Sequence, residues 1–326
     1  MIHIIKFAWK IYFLMPPKMR YYVKLFLKGG FGHKASLFNS QIANRDARGK
    51  CRIDNASEIF CNYLDAAGIS SLEDMNCLEI GTGYVGTNAI IMWLLGAKLV
   101  VTIDINKILA PLALKSAVVS VESALLFSKL KGNVKSEEEL KVRVDSLYAW
   151  AKTDSVDHSE FFIYLSPFDL LINKFPQKFN FLTSVSTLEH IPKSITDQFL
   201  KKMAEALENS GVGLHFVDLT DHLDHHGDPL GFLSKDVDNY SDDSDADSRG
   251  NRIRASEWVK MFSESGMVAD IVMSTSASHR LLPENLSRPF DEMNKEDLLV
   301  TSILIRSSHS SERSGLGNSD RFITER

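Results

Sequence analysis

CLEIGTGYVGTNAII, residues 77–91, decides how this chain is read. Gly81-Thr82-Gly83-Tyr84-Val85-Gly86 has the spacing G-x-G-x-x-G, in which glycines let a backbone turn approach a ligand closely. A strand is expected before it at 76–80. A buried helix is expected after it from Val85 to Leu95, because that run is apolar on nearly every side. KLVVTIDI, 98–105, is apolar on both faces and reads as a central parallel strand. Strand, glycine turn, helix and strand in this order make a βαβ unit.

Such a turn usually suggests a dinucleotide, and Glu79 argues against one. It stands two residues before Gly81. A carboxylate beside a pyrophosphate is electrostatically unfavourable, whereas one beside an ammonium and a sulfonium is favourable. Asp104, at the end of the second strand, is placed for ribose hydroxyls and serves either kind of ligand. The ligand that fits is S-adenosylmethionine. Backbone amides at the start of the following helix suit its carboxylate, and Glu79 suits its ammonium. Glu79 equally opposes an NAD-dependent oxidoreductase.

Outward from this unit, apolar spacing predicts a helix over 55–67 and helical structure over 107–130. An amphipathic helix follows, making about 110–160 a helical insertion. FFIYL (161–165) and KFNFLTSVS (178–186) are the next strands. SITDQFLKKMAEALENSG (194–211) reads as a helix capped by Ser194 and stopped by Gly211. VGLHFVDL (212–219) is a fifth strand, 256–266 a helix, and MVADIVMSTSA and DLLVTSILIRS the last two strands. The alternation predicts one α/β domain over 51–308. Its sheet is doubly wound and mostly parallel, with helices on both faces.

With these pieces in order, residues 55–305 resemble the class I S-adenosylmethionine-dependent methyltransferases, in the broad set with a methyltransferase domain 11/12-like core, a resemblance that implies a Rossmann-like sheet with an antiparallel last strand. LEIGTGYVG looks like the family's first motif and VVTIDINK its second. FDLLINKFPQKFNFLTSVSTLEHI looks like the run from the third strand through the fourth, ending in Leu188-Glu189-His190-Ile191. GLHFVDLTDH and NRIRASEWVKMFSESGM look like a subgroup's later motifs. The resemblance implies a cofactor site at Glu79, Gly81, Thr82, Gly83, Asp104, Ile105, Asp169, Leu170 and Ser186, with Asp169 at the adenine amino group. In metal-using ubiquinone-type relatives another acid precedes the Glu-His pair; here Ser186 occupies that place. No metal ligand is assigned on this ground. Read without the family, Glu189 and His190 tie the fourth strand to the next helix.

The acceptor side is expected at the ends of the fourth and fifth strands. HFVDLTDHLDHHGDP (215–229) holds four histidines and four aspartates, an unusual density for a plain loop. Histidine suits proton transfer near neutrality, so Asp221-His222 is the candidate oriented base. A divalent metal on Asp218, Asp221, His222, His225 or His226 is an alternative, as is a polar cap on the sheet. About 220–251 is expected to be a polar lid, its 235–251 part solvated and rich in aspartate. Arg252 and Arg254, just beyond it, are placed to pair with those acids or with a substrate anion.

The N-terminal 50 residues form a separate piece, read as a basic, apolar helical extension. Eight Lys or Arg precede the first acid, Asp46, so this piece is either a cap on the domain or a surface for anionic lipid. Lys6, Lys10 and Pro16-Pro17 break its apolar runs short of the ~20 residues of a span. The formal charge of −5 excludes an obvious nucleic-acid binder. Three cysteines without metal spacing read as cytoplasmic thiols. Residues 309–326 read as a disordered tail. The expectation is methyl transfer from S-adenosylmethionine to oxygen on a small molecule, sugar or lipid-linked glycan. The place is the cytoplasm, with possible contact to a membrane surface. The alternative is a non-catalytic cofactor-binding scaffold at such a surface.

Overall fold

The computed structural model describes residues 52–309 apart from 120, 122–126, 128, 131, 154–158, 160 and 226. The expected N-terminal extension, the tail beyond His309 and His226 lie outside the described residues. The elements are α1 (Arg52–Ala66), β1 (Asn76–Ile80), α2 (Thr87–Leu94), β2 (Leu99–Ile103), α3 (Pro111–Val119), α4 (Glu137–Ala151), β3 (Phe162–Leu165), β4 (Phe179–Val185), α5 (Lys193–Ala206), β5 (Leu207–Asp218), α6 (Ala246–Arg249), α7 (Ala255–Glu264), β6 (Met267–Ser276), α8 (Lys295–Leu299) and β7 (Val300–His309).

The seven strands among the described residues join one sheet in the order β3-β2-β1-β4-β5-β7-β6. The pairs β1–β2, β1–β4, β2–β3 and β4–β5 are parallel. β7 lies antiparallel between β5 and β6, as the expected last strand. Neighbouring residues on each strand face opposite sides, and both sides are covered. Cys77, Val100, Phe181 and Leu214 pack with apolar residues of α1, α2, α3 and α4. Leu78, Val101, Leu182 and Val217 pack with α5 and α7 around Trp258 and Phe262. This is why the strands read as continuous apolar runs. A third cluster, with Phe232, Tyr240 and Phe290, lies under the long segment after β5.

Local chemistry sets several boundaries. Ser136 accepts from Glu139 N at 3.1 Å, and Glu137, Glu138 and Glu139 occupy the positive end of α4. From α4, Arg143 donates to the carbonyls of Trp93, Gly96 and Ala97 and so satisfies the end of α2.

Four expected boundaries move. The helix expected over 194–211 ends at Ala206, because Leu207 turns extended and pairs at once with Phe179. β5 then runs through Gly211, which stops nothing. Ser194 is not the cap: α5 begins after Pro192, and Asp243 accepts from Ser194 N at 2.8 Å. The helix expected from 107 begins at Pro111, whose ring suits a first helical turn. Asp297–Leu299 belong to α8, capped by Asn294, so β7 starts only at Val300.

Among the described residues, no helix is long and apolar enough to cross a membrane.

Candidate functional site

The carboxyl ends of β1, β2, β4 and β5 come together, and most of the expected site residues stand there. The glycine turn leaves β1 with Gly81 and Thr82 both donating to the Ile103 carbonyl, at 2.9 and 3.2 Å. Gly81 has φ +88°, and a Cβ there would fall on Thr187 Oγ1 and within 2.8 Å of Thr187 Cγ2. Glycine is therefore demanded twice, by backbone angle and by the approach of the chain that leaves β4. Gly83 N donates to Asp104 Oδ2 at 3.3 Å, and Asn106 N to Asp104 Oδ1 at 2.9 Å. Asp104 thus ties the turn to the end of β2.

Glu79 is 1% exposed. Its Oε2 accepts from Thr102 Oγ1 at 2.6 Å, and Asn88 at the start of α2 also bonds its carboxyl. Thr82 Oγ1 lies 2.6 Å from the same Thr102 hydroxyl, so its side chain braces the turn from below. Burial pushes the Glu79 carboxyl up to about 7, with the charge of Asp104 adding to the effect. Burial raises Asp104 as well. Two acids held with this difficulty around one turn favour a cationic partner.

The adenine-side residues divide. Ile105 is 61% exposed, an apolar surface directly after Asp104. Phe168 N donates to the Asp104 carbonyl at 2.9 Å, which brings the Asp169 loop beside the end of β2. Asp169 spends Oδ1 on Leu171 N at 2.9 Å. The Leu170 side chain is instead buried in the core with Leu78 and Val101, leaving only its backbone for a ligand. Ser186 is exposed after β4 with φ +49°, its N held by the Phe216 carbonyl at 3.0 Å.

The acceptor side differs from expectation in its pairing. Asp221 is 2% exposed and engaged by Arg249, whose Nε donates to Oδ1 at 3.2 Å and whose Nη2 closes a second bond to Oδ2. Its Oδ1 also accepts from Leu223 N at 3.0 Å. The acid beside His222 is Asp218, with Oδ2 3.7 Å from both His222 Nε2 and His225 Nδ1. His190 and His222 meet edge to face at 4.7 Å, and His222 stacks with His225 at 4.8 Å. Of the other histidines in this stretch, His215 is in the core. There it lies between Ser184 and Ser307, and burial lowers its pKa to about 3.

Several residues acquire roles that spacing did not signal. Asn251 clamps the Leu188–His190 turn, donating from Nδ2 to the carbonyls of Leu188 and Ile191 at 3.0 and 2.9 Å. Arg252 bonds Asp242 and two carbonyls. Arg254, fully buried, donates to the carbonyls of Leu219, Leu298 and Val300. Both arginines therefore stitch the segment after β5. Three aspartates of the expected solvated lid are used in the same way: Asp242 pairs Arg252, Asp243 caps α5 and Asp245 holds Ser241 N. Glu189, 1% exposed, sits beneath the histidines. Cavities of about 180 and 290 Å³ open where strands begin, near Gly96 and Asn180, and have no histidine in their walls.

Neither a protein-family model nor a curated protein matches the chain. Solved structures do. A magnesium protoporphyrin IX methyltransferase from Synechocystis PCC 6803, with bound SAH, is 14% identical with a TM-score of 0.43. The match covers 88% of this chain and 98% of that one. An S-adenosylmethionine-dependent methyltransferase from Clostridium acetobutylicum is 10% identical with a TM-score of 0.40, covering 78% of this chain and 90% of that one.

Proposed function

We propose that the chain is an S-adenosylmethionine-dependent methyltransferase acting on a hydroxyl of a small molecule, sugar or lipid-linked glycan. The observation that carries the proposal is Glu79, a buried acid under a glycine turn that Asp104 pins to β2. The residues fit the cofactor's chemistry. Glu79 meets its positive charge, Asp104 its ribose hydroxyls, and the amides of the turn its carboxylate. Exposed Ile105 offers a face to adenine, with Asp169 nearby. The cofactor, when bound, supplies a methyl group already activated by a positive sulfur. The protein's part is to align an acceptor oxygen, exclude water and accept its proton. His222, beside Asp218, is the acceptor-side group. Asp221 shapes the loop through Arg249 and does not take that role.

His222→Ala is expected to leave cofactor affinity within about twofold and to lower turnover by roughly 100-fold or more, the range for lost acid–base assistance. Calorimetry and a methyl-transfer assay on a panel of hydroxyl acceptors read the two quantities separately. Unchanged turnover in His222→Ala would remove it from the chemistry.

Glu79 gives a prediction with a sign. In the ligand-free protein its carboxyl is neutral below about pH 7, whereas a cation binds the ionised form better. Binding at pH 6 is therefore expected to release close to one proton, and binding at pH 8 close to none. The slope of calorimetric enthalpy against buffer ionisation enthalpy measures this, and Glu79→Gln is expected to flatten it. Because the folded pKa lies above the usual carboxyl value, Glu79 favours the fold at low pH. That contribution is lost as pH rises through about 7.

A further inference from the structure

We propose that Glu189, His190 and His222 form a binding site for one divalent transition cation of the zinc class, with Asp218 and His225 adjoining it. One donor atom from each of Glu189, His190 and His222 lies within 4.8 Å of the others, and a second such group, Asp218, His222 and His225, shares His222. Imidazole and carboxylate donors together suit zinc, iron, cobalt or nickel better than calcium or magnesium. Two histidines and one carboxylate also leave a coordination position open, as catalytic rather than structural sites do.

An independent observation points to the same place. Glu189 Oε1 accepts from Asp218 N at 3.3 Å, but Oε2 is buried without a hydrogen-bond partner. A buried oxygen left in this way is costly. A bound cation would satisfy Oε2 directly. The surroundings also prepare the donors. His190 Nδ1 lies 3.2 Å from the Ala246 carbonyl, which can only accept. That carbonyl holds the ring proton on Nδ1 and makes Nε2 the ligating nitrogen, the arrangement typical of metal-bound histidine. Thr220 Oγ1 donates to Asp218 Oδ1 at 2.7 Å and lies 2.8 Å from His225 Nδ1, holding the adjoining pair. Asn251 fixes the turn that carries Glu189 and His190.

The cluster follows Thr187, the residue packed against Gly81, so it lies at the same end of the sheet as the cofactor turn. The site stands on its donors alone, whether or not the chain transfers methyl groups. With a cation bound, His222 would be a ligand and would act on the acceptor only through the ion, not as a free base.

The test uses the full chain stripped with a chelator and titrated with zinc sulfate against a chromophoric competitor. Cobalt(II) serves as a spectroscopic substitute. One equivalent of zinc per chain is expected, with a visible cobalt spectrum of nitrogen and oxygen ligation. Glu189→Gln and His190→Gln are each expected to weaken zinc by roughly 100-fold or more, exceeding the usual effect of an outer-shell change. His279→Gln, an exposed histidine elsewhere, is expected to change nothing. Circular dichroism checks that each variant folds. Should a variant fail to fold, anomalous diffraction at the zinc edge from wild-type crystals decides by the position of the peak. Absence of stoichiometric binding, equal binding by both folded variants, or a peak away from Glu189, His190 and His222 would overturn the site.

Discussion

Gly81→Ala is expected to abolish measurable cofactor binding and to lower the thermal midpoint by several degrees. Two costs add. At φ +88° an alanine occupies a backbone region that L side chains avoid, at about 1–3 kcal/mol. Its Cβ would also overlap the Thr187 side chain, and overpacking costs about 1–3 kcal/mol. Relief requires moving either the glycine turn or the chain leaving β4. Both moves disturb the cofactor site, since Asp104 holds the turn through Gly83 N. Adding Thr187→Ala is expected to recover part of the stability, because it removes the overlap and leaves the backbone cost. Thermal melts and calorimetry on the single and double variants measure both. Gly81→Ala with wild-type affinity would mean that the turn does not approach a ligand.

Arg249→Met is expected to cost about 3–5 kcal/mol, the range for stranding a buried charge by removing its partner. For a domain of this size that lowers the melting midpoint by roughly 6–20 °C. Asp221 is buried beneath Arg249 and holds the turn at Leu223, while His222 N donates to the Arg249 carbonyl at 3.1 Å. The loop carrying His222 therefore hangs on this ion pair, and turnover is expected to fall with stability. Adding Asp221→Asn removes the stranded charge and is expected to restore part of the loss. A single variant melting within about 2 °C of wild type would show that the pair contributes little, as exposed pairs usually do.

The βαβ unit was legible because its signals are local. Glycines at 81, 83 and 86 all take positive φ, and the apolar strands are buried on both faces. The antiparallel last strand was expected from the family resemblance, since order and spacing alone do not set a strand's direction. The pairing of charges was not. Asp221 adjoins His222 in the chain, yet its partner is Arg249, and the acid near His222 is Asp218, one turn away. Adjacent residues on a tight loop point in different directions, so sequence proximity misled. The expected helix over 194–211 erred for a related reason. Helical propensity continues past Ala206, but pairing of Leu207 with β4 overrides it. Glu189 was visible as a motif residue, but its orphaned Oε2 depends on burial that no spacing encodes. Arg252 pairs with Asp242, one of the acids expected for it, but its bonds to backbone carbonyls, and those that occupy Arg254, are uses that only tertiary contacts define.

Calorimetric titration of S-adenosylmethionine into wild type and Asp104→Ala tests the central claim most directly. The account predicts micromolar binding to wild type. It predicts a loss of about 1–3 kcal/mol in the variant, the scale of charge-assisted hydrogen bonds, which is roughly 5- to 150-fold in affinity. No binding to wild type, or equal binding by the two proteins, would contradict it.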